Sequence, residues 1–198
     1  MSSLGTCFDI DHFLITLDCQ GHTINYTISD DGQGAVYLWY VDFFTLKNCK
    51  INQKGVQHLN NEPIHVYESD DIHIDNVTID AVGMAIGLIE AHRANVTNVN
   101  ITTETKPAID LTYVVNSSFT NNYLHTISAD AMLVYDADNS IINDNIFISD
   151  TRYGLSVSKT TNLSITGNYL ETRSENIDSP LRCDEETNIL EDNVLITP

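Results

Sequence analysis

The chain has 198 residues, of which 28 are acidic and nine are basic, and its formal net charge is −19. This balance argues against nucleic acid and anionic lipid as partners, because both attract clustered Lys and Arg. A hydrophobic content of 42% is sufficient for one folded domain with a core. No apolar run approaches the roughly 20 residues of a membrane-spanning helix, so we expect no membrane insertion.

The N-terminal segment, residues 1–13, lacks the basic start and apolar stretch of a signal peptide. We expect it to form an N-terminal cap on the remaining residues, 14–198. Four cysteines permit one or two disulfides, and their spacing leaves the pairing open. They are Cys7, Cys19, Cys49 and Cys183.

A short pattern, apolar-x-[Asn/Asp/Gly]-x-x-apolar, recurs eight times along the chain. Its middle residues are Gly21, Asn48, Asn76, Asn98, Asn121, Asp144, Gly167 and Asp192. Successive middle residues are 22 to 28 positions apart, and 23 is the commonest interval. Because Gly, Asn and Asp tolerate a left-handed backbone, the pattern predicts one sharp bend in every repeat.

Each bend is preceded by a second apolar pair with strand periodicity, and two asparagine columns run through the repeats. The apolar pairs are Val36/Leu38, Ile64/Val66, Ile86/Leu88, Ile109/Leu111, Met132/Val134, Leu155/Val157 and, slipped by one residue, Leu181/Cys183. The asparagine columns are Asn116, Asn139, Asn162 and Asn188, and Asn122, Asn145, Asn168 and Asn193. Stacked amides of this kind predict hydrogen-bonded ladders between coils.

These repeats resemble the right-handed parallel β-helix of the pectate-lyase-like superfamily. The phrase from Ile15 to Ile24, ITLDCQGHTI, resembles the opening coil of its carbohydrate-binding and sugar-hydrolase repeats. We therefore expect an all-β chain, a single right-handed parallel β-helix solenoid of about eight coils with ~23 residues per coil. Longer loops are expected at residues 25–34 and 52–62.

The outward positions of the upstream strands predict a carbohydrate-binding face, because sugars stack on aromatic rings and need polar partners for their hydroxyls. The expected binding residues are Tyr37, Trp39, Tyr67, Glu68, Glu90 and Tyr135. The loop residues Asp30, Asp31, His58, Asn60 and Asn61 would line a wall of this face. The alternative interpretation is that strands simply favour aromatic residues.

The resemblance also implies an alternative function, that of a lyase, epimerase or glycoside hydrolase acting on a polysaccharide in the same groove. The catalytic candidates are His65, Glu68, Glu90 and Asp110, with Glu68 and Glu90 on adjacent coils as paired carboxylates. The Asn-Thr-Asp and Gly-His-Gly motifs of polygalacturonases are absent. The few basic residues show no cluster that would neutralise a uronate. We therefore expect a non-catalytic module first and an enzyme second.

The remaining expectations concern cofactors, modification and assembly. Glu68, Glu90 and Asp136 offer part of a Ca²⁺ shell, and no other cofactor is expected. Asn25, expected on a loop, is the best N-glycosylation acceptor. The final coil ends at Pro198 without a visible cap, which predicts an end-to-end or oligomeric contact there.

Together these features predict an extracellular module, on a cell or virion surface, whose partner is a polysaccharide or surface glycan. The net charge of −19 disfavours uronate-rich ligands, because like charges repel unless Ca²⁺ bridges them.

Overall fold

The computed structural model describes residues 2–4, 6–27, 34–54, 62–184 and 188–198. In these ranges the regular elements are 25 β-strands, which form three parallel sheets of nine, eight and eight strands. The described residues contain no helix that is long and apolar enough to cross a membrane.

Each sheet takes every third strand of the chain. Sheet A contains β1 (Ser2–Leu4), β4 (Thr23–Thr27), β7 (Lys50–Lys54), β10 (Thr78–Ala81), β13 (Asn100–Thr103), β16 (Tyr123–Thr126), β19 (Ile146–Ser149), β22 (Tyr169–Thr172) and β25 (Val194–Ile196). Sheet B contains β2 (Phe8–Ile10), β5 (Val36–Trp39), β8 (Ile64–Tyr67), β11 (Ile86–Ile89), β14 (Ile109–Val115), β17 (Met132–Asp138), β20 (Leu155–Ser158) and β23 (Leu181–Cys183). Sheet C contains β3 (Thr16–Asp18), β6 (Thr45–Lys47), β9 (His73–Asp75), β12 (Asn95–Thr97), β15 (Ser118–Thr120), β18 (Ile141–Asn143), β21 (Ser164–Thr166) and β24 (Ile189–Glu191).

The chain thus passes from sheet A to B to C in every coil, and the predicted all-β parallel solenoid is confirmed. Inward side chains of successive coils stack into buried columns that form one core. Sheet A contributes Ile51, Ile79, Ile101, Leu124, Phe147 and Leu170; sheet B contributes Val36, Ile64, Ile86, Ile109, Met132 and Leu155; sheet C contributes Leu46, Ile74, Val96, Phe119, Ile142 and Ile165. The slipped register of Leu181 with Leu155 is also as predicted.

The bend between sheets C and A is the one that the repeat pattern predicts. All eight middle residues have positive φ, between 52° and 82°. Six of the corners between sheets B and C have two further left-handed positions each, and the second of them includes the column of Asn116, Asn139 and Asn162. The first of them directly follows a sheet B strand at Tyr40, Glu68, Glu90 and Lys159, and lies inside β14 and β17 at Tyr113 and Asp136.

Buried asparagines tie the coils together beside the C-to-A bend. The Oδ1 atom of Asn145 accepts a hydrogen bond from the Asn122 backbone N–H at 2.9 Å, and Asn168 does the same for Asn145. The Nδ2 group of Asn145 donates to the Phe119 carbonyl at 2.9 Å. This confirms the ladder of Asn122, Asn145, Asn168 and Asn193.

The second asparagine column needs a correction. Asn162 donates to Asn139 at 2.8 Å on the surface, as a ladder requires. Asn188, however, is in register with Leu163 instead of Asn162, since Ser164 pairs with Ile189. The longer last repeat shifts Asn188 by one position, and its Oδ1 accepts from the Leu163 N–H at 3.1 Å.

The N-terminal segment contributes strands to the solenoid. Strand β1 pairs with β4, and β2 pairs with β5. The expected role of residues 1–13 as a cap stays a prediction, whereas β1 and β2 are found in two of the sheets. Of the two expected long loops, residues 28–33 and 55–61 lie outside the described residues. The five wall residues predicted there, Asp30, Asp31, His58, Asn60 and Asn61, are among them.

The expected loop position of Asn25 is wrong. Asn25 lies in β4, where it pairs with both β1 and β7, and its Oδ1 accepts a hydrogen bond from Asn52 at 3.1 Å. Strands β4 and β7 have five residues each, whereas the later strands of sheet A have three or four. The insertion expected from residue 25 therefore begins only after Thr27. Asn25 is therefore held in a sheet, and its glycosylation stays a prediction.

A disulfide between Cys19 and Cys49 joins the first coils, which settles a pairing that the sequence left open. The cross-link spans 30 residues and lies beside the bend residue Asn48. The disulfide therefore cross-links the two coils in which the sequence has its long insertions.

The last described coil leaves its apolar side chains exposed. Leu190 and Leu195, the register partners of buried Ile165 and Leu170, are 44% and 47% exposed. The contact expected at this end stays a prediction.

The asparagine ladder generates a stability prediction. Asn145→Ala leaves the buried Asn122 N–H and Phe119 carbonyl without their partners. We expect a loss of about 2–4 kcal/mol, because each unsatisfied buried group costs on the order of 1–3 kcal/mol. The measurement is the denaturant midpoint, followed by far-ultraviolet circular dichroism.

Asn100→Ala is the matched control, because Asn100 is an exposed asparagine on β13. Its midpoint should stay close to that of the unmodified chain. Equal midpoints for the two variants would show that the ladder adds nothing to stability.

Candidate functional site

The outer face of sheet B carries the residues that the sequence analysis selected. Register pairing aligns Tyr37 with His65, His65 with Gly87, and Gly87 with Asp110. The same column continues through Leu133 and Ser156 to Arg182. The predicted outward column is therefore confirmed along seven strands of one sheet.

Four aromatic side chains, two exposed and two half-buried, form a cluster at the N-terminal part of this face, here called the aromatic patch: Tyr37, Trp39, Tyr40 and Tyr67. Trp39 stacks on Tyr40 with ring centroids 5.9 Å apart, and Tyr67 meets Trp39 edge-on at 5.9 Å. Tyr37 lies edge-on to Trp39 at 6.3 Å. Trp39 is 49% exposed and Tyr40 is 61% exposed, so their rings are accessible to a ligand.

The Glu68 carboxylate belongs to the aromatic patch. The Tyr67 hydroxyl donates a hydrogen bond to it, which raises the pKa of Tyr67 to about 12, and the same carboxylate also raises the pKa of Tyr40. Glu90 is on the adjacent coil, and its negative charge contributes to both effects. Rings and carboxylates therefore lie side by side, as the sequence analysis predicted for Trp39, Tyr67, Glu68 and Glu90.

Tyr135, the sixth predicted binding residue, lies apart from this patch. It contacts Tyr113 edge-on with ring centroids 6.0 Å apart, and Lys159 lies over its ring at 4.8 Å. Strands β11 and β14 separate Tyr135 from Tyr67. It forms a second, smaller aromatic contact further along the face.

A cavity of about 250 Å³ lies next to the aromatic patch, here called the carboxyl pocket. Its lining is Glu62, His65, Met84, Gly87, Ile89, Asp110 and Thr112. The His65 Nδ1 atom is 3.0 Å from the Glu62 Oε2 atom, and the His65 ring stacks on Tyr37 at 5.1 Å. Two of the four predicted catalytic residues, His65 and Asp110, thus meet in one pocket, and Glu68 and Glu90 do not line it.

Glu62 is the residue of this pocket that the sequence analysis missed. It is only 4% exposed, and its backbone packs so closely on Gly34 that only a glycine fits there. A Cβ atom on Gly34, which has φ of 108°, would overlap the Glu62 carbonyl oxygen. At Gly87 a Cβ atom would lie 3.5 Å from the Glu62 Cγ and Cδ atoms, so the Glu62 side chain passes over Gly87, between His65 and Asp110.

Asp110 has a perturbed acidity in this pocket. Burial raises its pKa to about 6, and the nearby Glu62 charge acts in the same direction. A hydrogen bond from Thr112 and the charge of Lys106 oppose the shift. Three titratable groups of two chemical types therefore share one cavity, an arrangement that suits acid–base chemistry.

A second cavity of about 370 Å³ follows along the same face, here called the basic pocket. Lys106, Arg152 and Arg182 line it together with Asp130. The sequence analysis expected no cluster of basic residues, and this expectation is wrong. The three residues are 30 or more positions apart in sequence, and only the stacking of coils brings them together.

The proposed Ca²⁺ ligands are not assembled into one cluster. Tyr113 occupies the equivalent position on the coil between Glu90 and Asp136, since Ile89 pairs with Thr112 and Thr112 with Tyr135. Within the ranges that the structure describes, no group of three or more His, Cys, Asp or Glu side chains is placed to hold a metal ion.

The raised pKa of Asp110 has a measurable effect on stability. The folded chain holds this proton up to a pH of about 6, whereas an unfolded Asp releases it near its ordinary value of 3.8. The contribution of Asp110 to the free energy of unfolding therefore falls as the pH rises from 3.8 to about 6. Above that interval the buried ionised carboxylate destabilises the fold. We expect Asp110→Asn to raise the melting temperature at pH 8 and to change it little at pH 4.

The control is Asp80→Asn, because Asp80 is an exposed carboxylate on β10 of sheet A. This variant removes a carboxylate outside the carboxyl pocket, and its melting temperature should stay close to that of the unmodified chain. A constant effect of Asp110→Asn at both pH values would refute the perturbed acidity.

Comparison with known proteins supports the architecture. Residues 62–195, more than half of the 198-residue chain, match the family model described as the right handed beta helix region. A comparison with curated proteins finds no match. The matched segment includes the carboxyl pocket and the basic pocket, and the fold fits the pectate-lyase-like resemblance of the repeats. The chain belongs to the right-handed β-helix family.

Proposed function

We propose that this chain is a rigid β-helix module that binds a carbohydrate along the outer face of sheet B. The observation that carries the proposal is the aromatic patch, in which the exposed rings of Trp39 and Tyr40 adjoin the Glu68 carboxylate. Flat rings contact the C–H faces of sugars, and carboxylates accept hydrogen bonds from their hydroxyls. Membership of the β-helix family supports a structural or carbohydrate-related module in general.

Rigidity favours such a role. The patch residues Trp39 and Tyr67 sit on β5 and β8, whose backbones pair over four residues. Parallel pairing and mutual ring contacts hold the side chains in place before a ligand arrives, so little conformational entropy is lost on binding.

We also propose an extracellular or cell- or virion-surface location. The Cys19–Cys49 disulfide supports it, because disulfides persist mainly in oxidising compartments. Peptide mapping of natively expressed protein without reductant should find the peptides of Cys19 and Cys49 cross-linked. Recovery of both cysteines as thiols would contradict this location.

Trp39→Ala tests the binding face. Loss of the ring removes the largest exposed stacking surface of the patch, and we expect affinity for a bound glycan to fall about tenfold or more, as at other aromatic hot spots. Isothermal titration calorimetry against a panel of neutral and acidic oligosaccharides measures it. Intrinsic fluorescence of Trp39, the single tryptophan of the chain, first identifies the glycans that bind.

Tyr123→Ala is the matched control, because Tyr123 is an exposed aromatic residue on β16 of sheet A. Its affinity should equal that of the unmodified chain. Equal losses for both variants, or no saturable binding by any glycan of the panel, would reject the proposed face and leave a purely structural rod.

The carboxyl pocket favours a second candidate function, a polysaccharide-processing enzyme. His65, Glu62 and Asp110 converge on a cavity of about 250 Å³, and the pKa of Asp110 lies near 6. A carboxyl group that holds its proton near neutral pH is suited to act as a general acid. His65, hydrogen-bonded to Glu62, lies on the strand on the opposite side of Gly87 from Asp110. It would act as the base that accepts a proton.

Product analysis separates this candidate from simple binding. If the chain turns over a glycan, Glu62→Gln and Asp110→Asn should each abolish product formation and leave binding at the aromatic patch intact. Glu104→Gln, an exposed carboxylate outside the pocket, is the control. Bound glycan without products from the unmodified chain rejects catalysis.

A further inference from the structure

The placement of positive charge in this acidic protein is uneven. The chain has nine basic residues among 28 acidic ones, and three of the nine line one cavity. Of the others, Arg93 is neutralised by Asp70 and Asp71, and Arg173 by Asp150 and Glu171. Three basic side chains from separate coils are therefore gathered at one cavity.

The lining charges of the basic pocket do not cancel. Lys106, Arg152 and Arg182 face a single lining carboxylate, that of Asp130. Asp130 is nearly buried and is already engaged: it accepts from Arg152 Nε at 3.1 Å and from the Tyr153 N–H at 3.2 Å. The lining residues therefore carry a net positive charge, and Asp184, the ion-pair partner of Arg182, is not among them.

The donors that remain point to an anionic ligand group. Arg152 uses only its Nε atom on Asp130, which leaves the terminal nitrogens of its guanidinium. Arg182 makes one long contact of 3.3 Å, to Asp184. Lys106 lines the cavity without an ion pair to any residue that the structure describes, and its charge acts on Asp110 only from a distance, lowering the pKa of that carboxyl. Guanidinium groups bind carboxylates and sulfates through paired hydrogen bonds, and an ammonium adds charge.

The basic pocket is continuous with the proposed glycan face. Its floor residues Leu133, Ser156 and Arg182 extend the column that contains His65 and Asp110. Arg182 lies three strands beyond Asp110, or about 14 Å along the sheet. A ligand that runs along sheet B would meet the aromatic patch first, then the carboxyl pocket and then the basic pocket.

We propose that the basic pocket is a subsite for an anionic substituent of the ligand, a carboxylate or a sulfate ester, held by Lys106, Arg152 and Arg182. This inference rests on the proposed glycan face and adds the chemical class of ligand to it. It reverses the expectation drawn from net charge, because a ligand group responds to the nearest charges and the surrounding carboxylates are screened by salt.

The test uses small probes that carry only the charged group. Sodium galacturonate, its uncharged methyl ester and inorganic sulfate are titrated against the ¹⁵N-labelled chain, and the Nε–H resonances of Arg152 and Arg182 are followed. We expect saturable shifts with at least one anion, at concentrations up to about 50 mM, and none with the ester. Galacturonate alone identifies a carboxylate site, and sulfate alone identifies a sulfate site.

The variant for this test is the Lys106→Ala/Arg182→Ala double variant, because Arg152→Ala would leave the nearly buried Asp130 carboxylate without its charged partner. We expect about tenfold weaker anion binding, followed at Arg152. Lys50→Ala, an exposed lysine on sheet A, should bind as the unmodified chain does.

Three outcomes would overturn the subsite: no shift with either anion, equal shifts with the methyl ester, or undiminished binding by the double variant. The proposed glycan face fails separately, in the Trp39→Ala titration with neutral glycans. If the chain binds anions but no glycan, the subsite proposal stands and the glycan face is rejected. If it binds glycans but no anion, the glycan face stands and the subsite is rejected.

Discussion

The alignment of each coil on the next is the constraint on which the rest of the structure depends. Parallel strands lie about 4.8 Å apart, and the strands of successive coils pair in register through the solenoid. Residues one repeat apart therefore form columns, buried ones in the core and exposed ones outside. The register holds because every coil bends at the same positions, with left-handed residues at the bends and the Asn145 ladder beside them.

The three corners of the solenoid have different roles: two connect the sheets tightly, and the third supplies loop residues to the pockets. Two corners, C-to-A and B-to-C, are short bends through left-handed residues, and the first is locked by buried amides. The A-to-B corner has the longest connections and the largest differences in their length. Glu62, Met84, Lys106, Asp130 and Arg152 all come from these loops and face the adjoining strands of sheet B. Both pockets lie where the fold tolerates variation.

Periodicity in the sequence predicted which residues share an outward column, but not which loop side chains cover that column. Tyr37, His65, Gly87 and Asp110 were aligned correctly because their spacing from each bend is constant. Glu62 lies in a loop outside the repeat pattern, so nothing local indicates that it lies over Gly87. The left-handed conformations of Tyr40 and Glu68 were likewise hidden, because neither residue type prefers them and neighbouring coils impose them through hydrogen bonds.

The sequence by itself determined the solenoid, its bends and the residues that share a face, because these follow from a strand period and from turn chemistry that act within one coil. Only the tertiary structure decided which side chains meet across coils. The His65–Glu62 contact, the raised pKa of Asp110 and the meeting of Lys106, Arg152 and Arg182 depend on loop paths and on burial between coils. Charge and acidity are set by these distances, which no local pattern in the chain encodes.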